Sequence, residues 1–300
     1  MMDYASSNQN TRFKRPGFLL FCGNHERQLQ MIYEFRYLAP KTASELVAIL
    51  DGNKADGKIL AGGTDLIPNI RNGLQKPRLV IDIKKYAGAD KLAFGSDGLT
   101  MGPAVTINDI LRSRDARERF PVLCECAHEL ASHQIRNRAT VAGNVVNASP
   151  CSDMAPALLC LGASAVLRSA SGERVVPFAK FFAGVKKTVL SPGEFLERII
   201  VPASAAGATG RYLKLKRIAG HDLGIVGVLM TRAGGALRFA VSSAAPTPVL
   251  VESVTLKDSP DEAASKVLAA VSPISDVRGT KEYREHMIGV YVRRLLAEVK

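Results

Sequence analysis

Two short stretches of the chain carry residue types that could hold an anion. The denser is Arg138-Ala139-Thr140-Val141-Ala142-Gly143-Asn144-Val145-Val146-Asn147-Ala148-Ser149-Pro150-Cys151-Ser152-Asp153-Met154-Ala155-Pro156; the other is Leu60-Ala61-Gly62-Gly63-Thr64-Asp65-Leu66. Small side chains let backbone N–H groups converge on one point, the concave nest that phosphates favour. One such loop is ordinary. Two point to a ligand with two linked phosphates, such as a dinucleotide. Gly62-Gly63 alone could be a plain strand-to-helix turn, but Thr64 adds a hydroxyl and an N–H where a helix begins, both able to donate to a phosphate oxygen. Asp65 would repel a phosphate, so capping or a backbone contact is the more economical role. Asn144, Asn147 and Ser149 lie closer together than a turn requires. Asp153 either caps the apolar helix that follows or accepts ribose hydroxyls, as acids do in other dinucleotide sites; both roles stay open.

Other chemistries lack their residues. No Gly-x-Gly-x-x-Gly follows the first strand and no Gly-x-x-x-x-Gly-Lys-Ser/Thr is present, which disfavours a Rossmann site and a P-loop. No serine or cysteine stands in a nucleophile elbow, and no catalytic acid or base is nominated. His128 and His133 are poorly spaced to share a metal, and the five cysteines form no Cys-x-x-Cys pair, so no metal or cluster held by this chain is expected. Their odd, irregular count also argues against a disulfide framework and for a reducing compartment. Lys214, Lys216 and Arg217 read by default as a solvated strand face, although any of them could neutralise a diphosphate.

Positioning these residues takes a sizeable fold. The chain has 300 residues, 47% of them hydrophobic, enough for two or three compact units. Its net charge of +12 is spread in short clusters without interleaved aromatics. That excludes nucleic acid as the expected ligand and favours an acidic partner or an anion. No apolar run is long enough for membrane insertion.

Residues 1–30 are polar and irregular, with an apolar core too short for a secretory signal and only a faint twin-arginine look at Lys14-Arg15; they read as a disordered leader. Beyond them a strand is expected from 32 to 37, a helix capped by Thr42-Ala43-Ser44-Glu45, a strand at 58–60 feeding the first glycine loop, a helix over 66–73 and a strand over 79–83. A second unit opens near Leu92 with a hairpin at Ser96-Asp97-Gly98. A helix then starts at Thr106 with Asp109 in its capping box, and a longer one is expected between 118 and 132. Residues 154–161 read as a buried helix, and 203–210 as a small-residue linker to a last unit of strands and two helices.

Taken together, Ala61-Gly62-Gly63-Thr64-Asp65-Leu66, the block from Gln134-Ile135-Arg136-Asn137 to Asp153, and the segment from Tyr212-x-Lys214 to Asp222-x-x-x-Val226 resemble one family. It is the FAD-binding medium subunit of molybdenum hydroxylases, the group containing carbon monoxide dehydrogenase and xanthine dehydrogenase, and the resemblance runs in order over 31–300.

It implies an α+β fold: two FAD-binding subdomains of the vanillyl-alcohol-oxidase (PCMH) type, 31–85 and 86–205, and a C-terminal α+β domain, 208–300. It implies FAD with its pyrophosphate clasped between Leu60, Ala61, Gly62, Gly63, Thr64, Asp65 and Leu66 on one side and Thr140, Gly143, Asn144, Val146, Asn147 and Asp153 on the other. Ala131 and Ala139 would touch the cofactor, Leu196 would cover the flavin ring, and Lys214 would approach it from the C-terminal side. The chain would be a cytoplasmic oxidoreductase subunit. It would take electrons from an iron–sulfur small subunit, fed in turn by a molybdopterin-binding large subunit, and pass them to NAD or another acceptor.

Two departures stand out: Ala142 where the family commonly has glycine, tolerable if its φ stays negative, and His221 where a polar or acidic residue is usual near the flavin edge. The run over 65–74 is similar to the 4-hydroxybenzoyl-CoA reductase branch, but no cysteine-bearing insertion interrupts 147–153. A stand-alone flavin reductase or oxidase of the same fold, a medium subunit of the 4-hydroxybenzoyl-CoA reductase type, and a binding module for acidic partners or nucleic acid are the alternatives.

Overall fold

The computed structural model describes residues 33–53, 56–218 and 220–298, so the expected leader over 1–30 lies outside the described residues. The fold is α+β, built as one small parallel sheet followed by two antiparallel ones.

The first unit runs β1 (Arg36–Leu38), α1 (Ala43–Gly52), β2 (Gly57–Leu60), α2 (Leu66–Arg71) and β3 (Leu79–Asp82), with β3 central and parallel to both neighbours. All four residues of β3 are buried, the apolar Leu79, Val80 and Ile81 followed by Asp82, as suits a central strand covered on both faces. Leu46 and Leu50 of α1 pack on Leu79 and Ile81. Thr42 caps α1 through the Glu45 N–H, but the Glu45 carboxylate accepts from the Lys41 N–H instead of closing the box on Thr42.

The second unit holds β4 (Leu92–Gly95), β5 (Gly98–Met101), α3 (Ile107–Arg112), α4 (Arg114–Arg119), α5 (Pro121–Glu129), α6 (His133–Arg136), α7 (Val141–Val146), α8 (Met154–Cys160), β6 (Ser164–Ser169), β7 (Gly172–Pro177), the short hairpin β8 (Phe182–Gly184) and β9 (Lys187–Thr188), and β10 (Phe195–Pro202). Its antiparallel sheet has the order β4-β5-β10-β6-β7. Thr106 and Asp109 form the expected capping box. The single helix expected over 118–132 is corrected to two: α4 ends at Phe120 because Pro121 has no N–H to bond back along it, and Pro121 then opens α5. α8 is buried along its whole length.

The third unit is a meander, β11 (Thr209–Leu215), β12 (Val226–Ala233), β13 (Ala236–Ser242) and β14 (Val249–Val251), with α9 (Pro260–Ala269) and α10 (Lys281–Ala297). Period-two alternation on β12 sends Val226, Val228 and Met230 into the core shared with α9 and α10, while Leu229 joins the core of the second unit. Tyr212 and Lys214 of β11 face that second core too. The solvated face expected there is corrected for Lys214, whose side chain is only 2% exposed, and holds for Arg217, which is exposed. Long amphipathic stems reach charged partners this way when a neighbouring layer covers the strand.

Candidate functional site

A cavity of about 1120 Å³ opens where the three units meet. The first stretch reaches it as a tight loop between β2 and α2. Lys84 pins that loop from behind: its ammonium donates to the Ala61 carbonyl at 3.1 Å and pairs with Asp82 at 2.7 Å. Burial alone would push the Asp82 carboxyl up, but hydrogen bonds from Lys84 and from the Tyr37 hydroxyl outweigh it and hold the group below its ordinary value. With the carbonyl side so anchored, among the described residues no acceptor takes the N–H groups of Gly62, Gly63, Thr64 or Asp65. A run of free donors beside a cavity is the geometry of an anion nest.

The second stretch folds differently from the loop expected of it. Thr140 caps α7 with its hydroxyl oxygen, accepting from the Gly143 N–H, while its carbonyl accepts from the Asn144 N–H and the Val141 N–H goes to Val105. Gly143 and Asn144 thus sit inside a helical turn with their N–H groups already used. What this stretch offers the cavity is side chains. The Asn144 Oδ1 accepts from the Ser152 hydroxyl at 2.6 Å and from the Met154 N–H, so its amide nitrogen is left to donate. Ala142 is helical and avoids positive φ, which meets the condition its extra methyl imposed.

The two stretches are in contact. A Cβ on Gly62 would lie 2.1 Å from the Arg138 carbonyl oxygen and 3.0 Å from the Ala139 Cα. Of the residues the resemblance assigns to the cofactor, all but Leu60 and Lys214 line the cavity: Ala61, Gly62, Gly63, Thr64, Asp65, Leu66, Ala131, Ala139, Thr140, Gly143, Asn144, Val146, Asn147, Asp153 and Leu196. Leu60 packs under the loop, its Cδ1 2.8 Å from where a Gly63 Cβ would be. Lys214 stands one layer back, donating to Asp153 at 2.8 Å and to the Glu129 carbonyl at 3.0 Å.

Two capping roles expected from sequence are corrected. Asp65 and Asp153 occupy the N-cap positions of α2 and α8 with helical backbone angles, so neither carboxylate can turn back onto its helix, and neither makes a capping bond. The start of α8 is satisfied instead by the Ser152 hydroxyl, which accepts from the Ala155 N–H. The Asp153 carboxylate takes the Tyr212 hydroxyl and the Lys214 ammonium. Burial raises its pKa, and those two donors pull it back only in part.

Some lining residues were not anticipated: Lys186 at φ +58, the turn Ser191-Pro192-Gly193, and Asp222 and Leu223 beside His221. Pro192-Gly193 ahead of β10 was a readable turn signal. The left-handed Lys186 carries no sequence signal. Ala131 is also left-handed, at φ +44, a costly state for a residue with a Cβ. Arg136 holds it there by donating from one Nη1 to the carbonyls of His128, Leu130 and Ala131 at 2.8, 3.0 and 3.0 Å. Arg136→Ala is expected to lower stability by about 2–3 kcal/mol, as hydrogen bonds from a charged donor are lost, with a matching fall in midpoint in a urea melt.

Among the described residues no helix is long and apolar enough to cross a membrane, and no cluster of side chains could hold a metal.

Comparison with known proteins places these features. Residues 33–204 match the family model described as the FAD binding domain in molybdopterin dehydrogenase, and residues 210–299 match the CO dehydrogenase flavoprotein C-terminal domain. The carbon monoxide dehydrogenase medium chain of Hydrogenophaga pseudoflava is 32% identical over 275 residues, covering 87% of this chain and 96% of that one. The xanthine dehydrogenase FAD-binding subunit of Escherichia coli is 28% identical over 277 residues, covering 87% and 94%. Among solved structures, a reconstituted CO dehydrogenase from Oligotropha carboxidovorans superposes with a TM-score of 0.82 at 31% identity, covering 89% of this chain and 98% of that one.

Proposed function

Since the chain belongs to the family of FAD-binding medium subunits of the molybdenum hydroxylases, an oxidoreductase family, we propose that it carries the flavin of a three-subunit enzyme. Electrons come from iron–sulfur clusters on a small chain that draws on a molybdopterin-binding large chain, and leave to NAD or another acceptor. Residues 31–85 and 86–205 form the two halves of the flavin domain, and 208–300 is the C-terminal domain. The described cysteines are all free thiols, which suits a cytoplasmic setting.

The observation that carries this reading is the free N–H run at 62–65 pressed against Arg138 and Ala139. The donor set fits a pyrophosphate: backbone N–H groups from one side, the Asn144 amide from the other, and Gly62 where the two stretches meet, a contact that leaves no room for a Cβ. Thr64 adds a hydroxyl to that set. Thr140, whose oxygen already accepts from Gly143, still has its own proton to donate. The Asn147 side chain, with no partner among the described hydrogen bonds, adds a further amide.

FAD, when bound, supplies the redox chemistry, and the protein supplies binding, orientation and tuning. Leu196 and the 191–193 turn give an apolar wall that would exclude water from a flat ring. Asp153 on the cavity wall and Lys214 one layer back form a buried charge pair that fixes that side of the site. No side chain here needs to move a proton.

Full-length protein mixed with FAD and desalted is expected to keep stoichiometric flavin with its visible absorbance bands. Protein that stays colourless at saturating FAD would overturn the reading.

A further inference from the structure

One cluster beside the cavity has no part in the reading above. Arg284 of α10 is buried, its side chain 2% exposed. Its guanidinium donates to the Ile225 carbonyl at 2.6 Å, the Ser243 carbonyl at 2.8 Å and Asp276 at 2.6 Å. Asp276 in turn accepts from the backbone N–H of Arg278 at 2.8 Å and from its guanidinium at 2.7 Å. Burial alone would raise the Asp276 carboxyl; the bonds from Arg278 and the Arg284 charge outweigh it and hold the group well below its ordinary value. The chain of bonds ends on the cavity wall, where Arg278 Nη1 donates to the Cys151 Sγ at 3.2 Å.

A second strut reaches the same place. The Ser243 N–H donates to the Pro150 carbonyl at 2.8 Å, and Ser243 is itself left-handed at φ +63. Such a conformation persists only where its surroundings fix it, and the Arg284 bond to the Ser243 carbonyl does that. Both struts start from one buried guanidinium on the third unit and end on adjacent residues of the second. The segment they hold runs into Ser152 and Asp153, which line the cavity too.

We propose that Arg278, set by Asp276 and Arg284, is a positioning residue for the cofactor site: through Cys151 it holds the 149–152 wall in place from the C-terminal domain. The inference rests on the flavin reading for what fills the cavity, but not for the clasp itself. Cys151 needs no redox role in it; the sulfur serves as the acceptor.

The test uses the full-length chain. Deuterium uptake over 149–153 in the cofactor-free protein should rise in Arg278→Ala, and the FAD dissociation constant should rise roughly five- to tenfold, the worth of one ordinary hydrogen bond, since sulfur is a weak acceptor. Arg278→Lys and Cys151→Ser, which each keep one donor or acceptor, should recover part of the affinity and the wild-type flavin band shape. The Arg278→Ala/Cys151→Ala double variant should lose no more than Arg278→Ala alone, because that change already removes the bond to Cys151. A general loss of stability would not give that pattern of rescue and non-additivity. Unchanged uptake, or raised uptake with unchanged FAD affinity, would overturn the proposal. If Arg278→Ala does not fold, Cys151→Ala reports the same bond. Wild-type protein that takes up no FAD would sink the flavin reading instead, leaving the clasp to be judged on exchange alone.

Discussion

Gly62→Ala is expected to give a folded chain that no longer retains FAD. Gly62 does not have positive φ, so the change brings no torsional strain. The problem is space: the new methyl would sit 2.1 Å from the Arg138 oxygen, 2.8 Å from its carbonyl carbon and 3.0 Å from the Ala139 Cα. All three are backbone atoms, so no side chain can swing away. The loop at 62–65 must instead move off the 138–139 turn by the better part of a van der Waals radius, and its N–H groups move with it. Overpacking of this kind costs about 1–3 kcal/mol, and if it falls wholly on the bound state FAD affinity drops roughly 5- to 150-fold.

Flavin titration followed by absorbance measures that drop. Gly52→Ala is the control, because nothing lies within 4 Å of the methyl it adds to the end of α1. Gly63 makes a useful contrast. There φ is +76 and the nearest atom is the flexible Leu60 Cδ1, so Gly63→Ala strains the backbone of one loop without wedging two loops apart. Gly62→Ala protein that binds FAD as wild type does would mean that the contact between the stretches is not what shapes the phosphate cradle.

Much of the fold was legible because local rules sufficed. The apolar Leu79-Val80-Ile81 of β3, the Thr106–Asp109 box and the all-apolar α8 each read from a few neighbouring residues. α7 was missed for a local reason as well: glycine and asparagine are poor helix formers, and Thr140 supports the turn with a hydroxyl cap that the sequence equally allows in a loop. The pairing of the two stretches was suggested by residue type alone. That they touch at Gly62 and Arg138 is a fact of packing, fixed by where β2 ends relative to α7, and no periodicity carries it. The lining residues Lys186 and Leu223 stayed hidden for the same reason. Lys214 shows the opposite failure: alternation along β11 put it on the correct face, but whether that face met water or another layer was decided by α5 and α8 packing over it.

That buried lysine is where the largest loss of stability is expected. In Lys214→Met the Asp153 carboxylate keeps its burial and loses the cation 2.8 Å away. Breaking a buried pair from one side costs about 3–5 kcal/mol, because a charge is left without its partner. The pH dependence identifies the cause. Burial already lifts the Asp153 pKa in the native protein, with Lys214 the chief opposing influence, so removing Lys214 lifts it further. A carboxyl whose pKa is raised on folding favours the folded state while it is protonated in both states, below its unfolded value of about 3.9. That contribution is lost as pH rises through the folded pKa. Lys214→Met should therefore be most destabilised at neutral pH and recover on acidification towards pH 5, more steeply than wild type over the same interval. Asp153→Asn in the Lys214→Met background removes the stranded charge, keeps an acceptor for the Tyr212 hydroxyl, and should restore stability at pH 7 while flattening the profile. Urea melts of the three variants at pH 5 and 7 measure all of this. A Lys214→Met protein as stable at pH 7 as at pH 5 would show that the charge on Asp153 is not what the lysine holds in place.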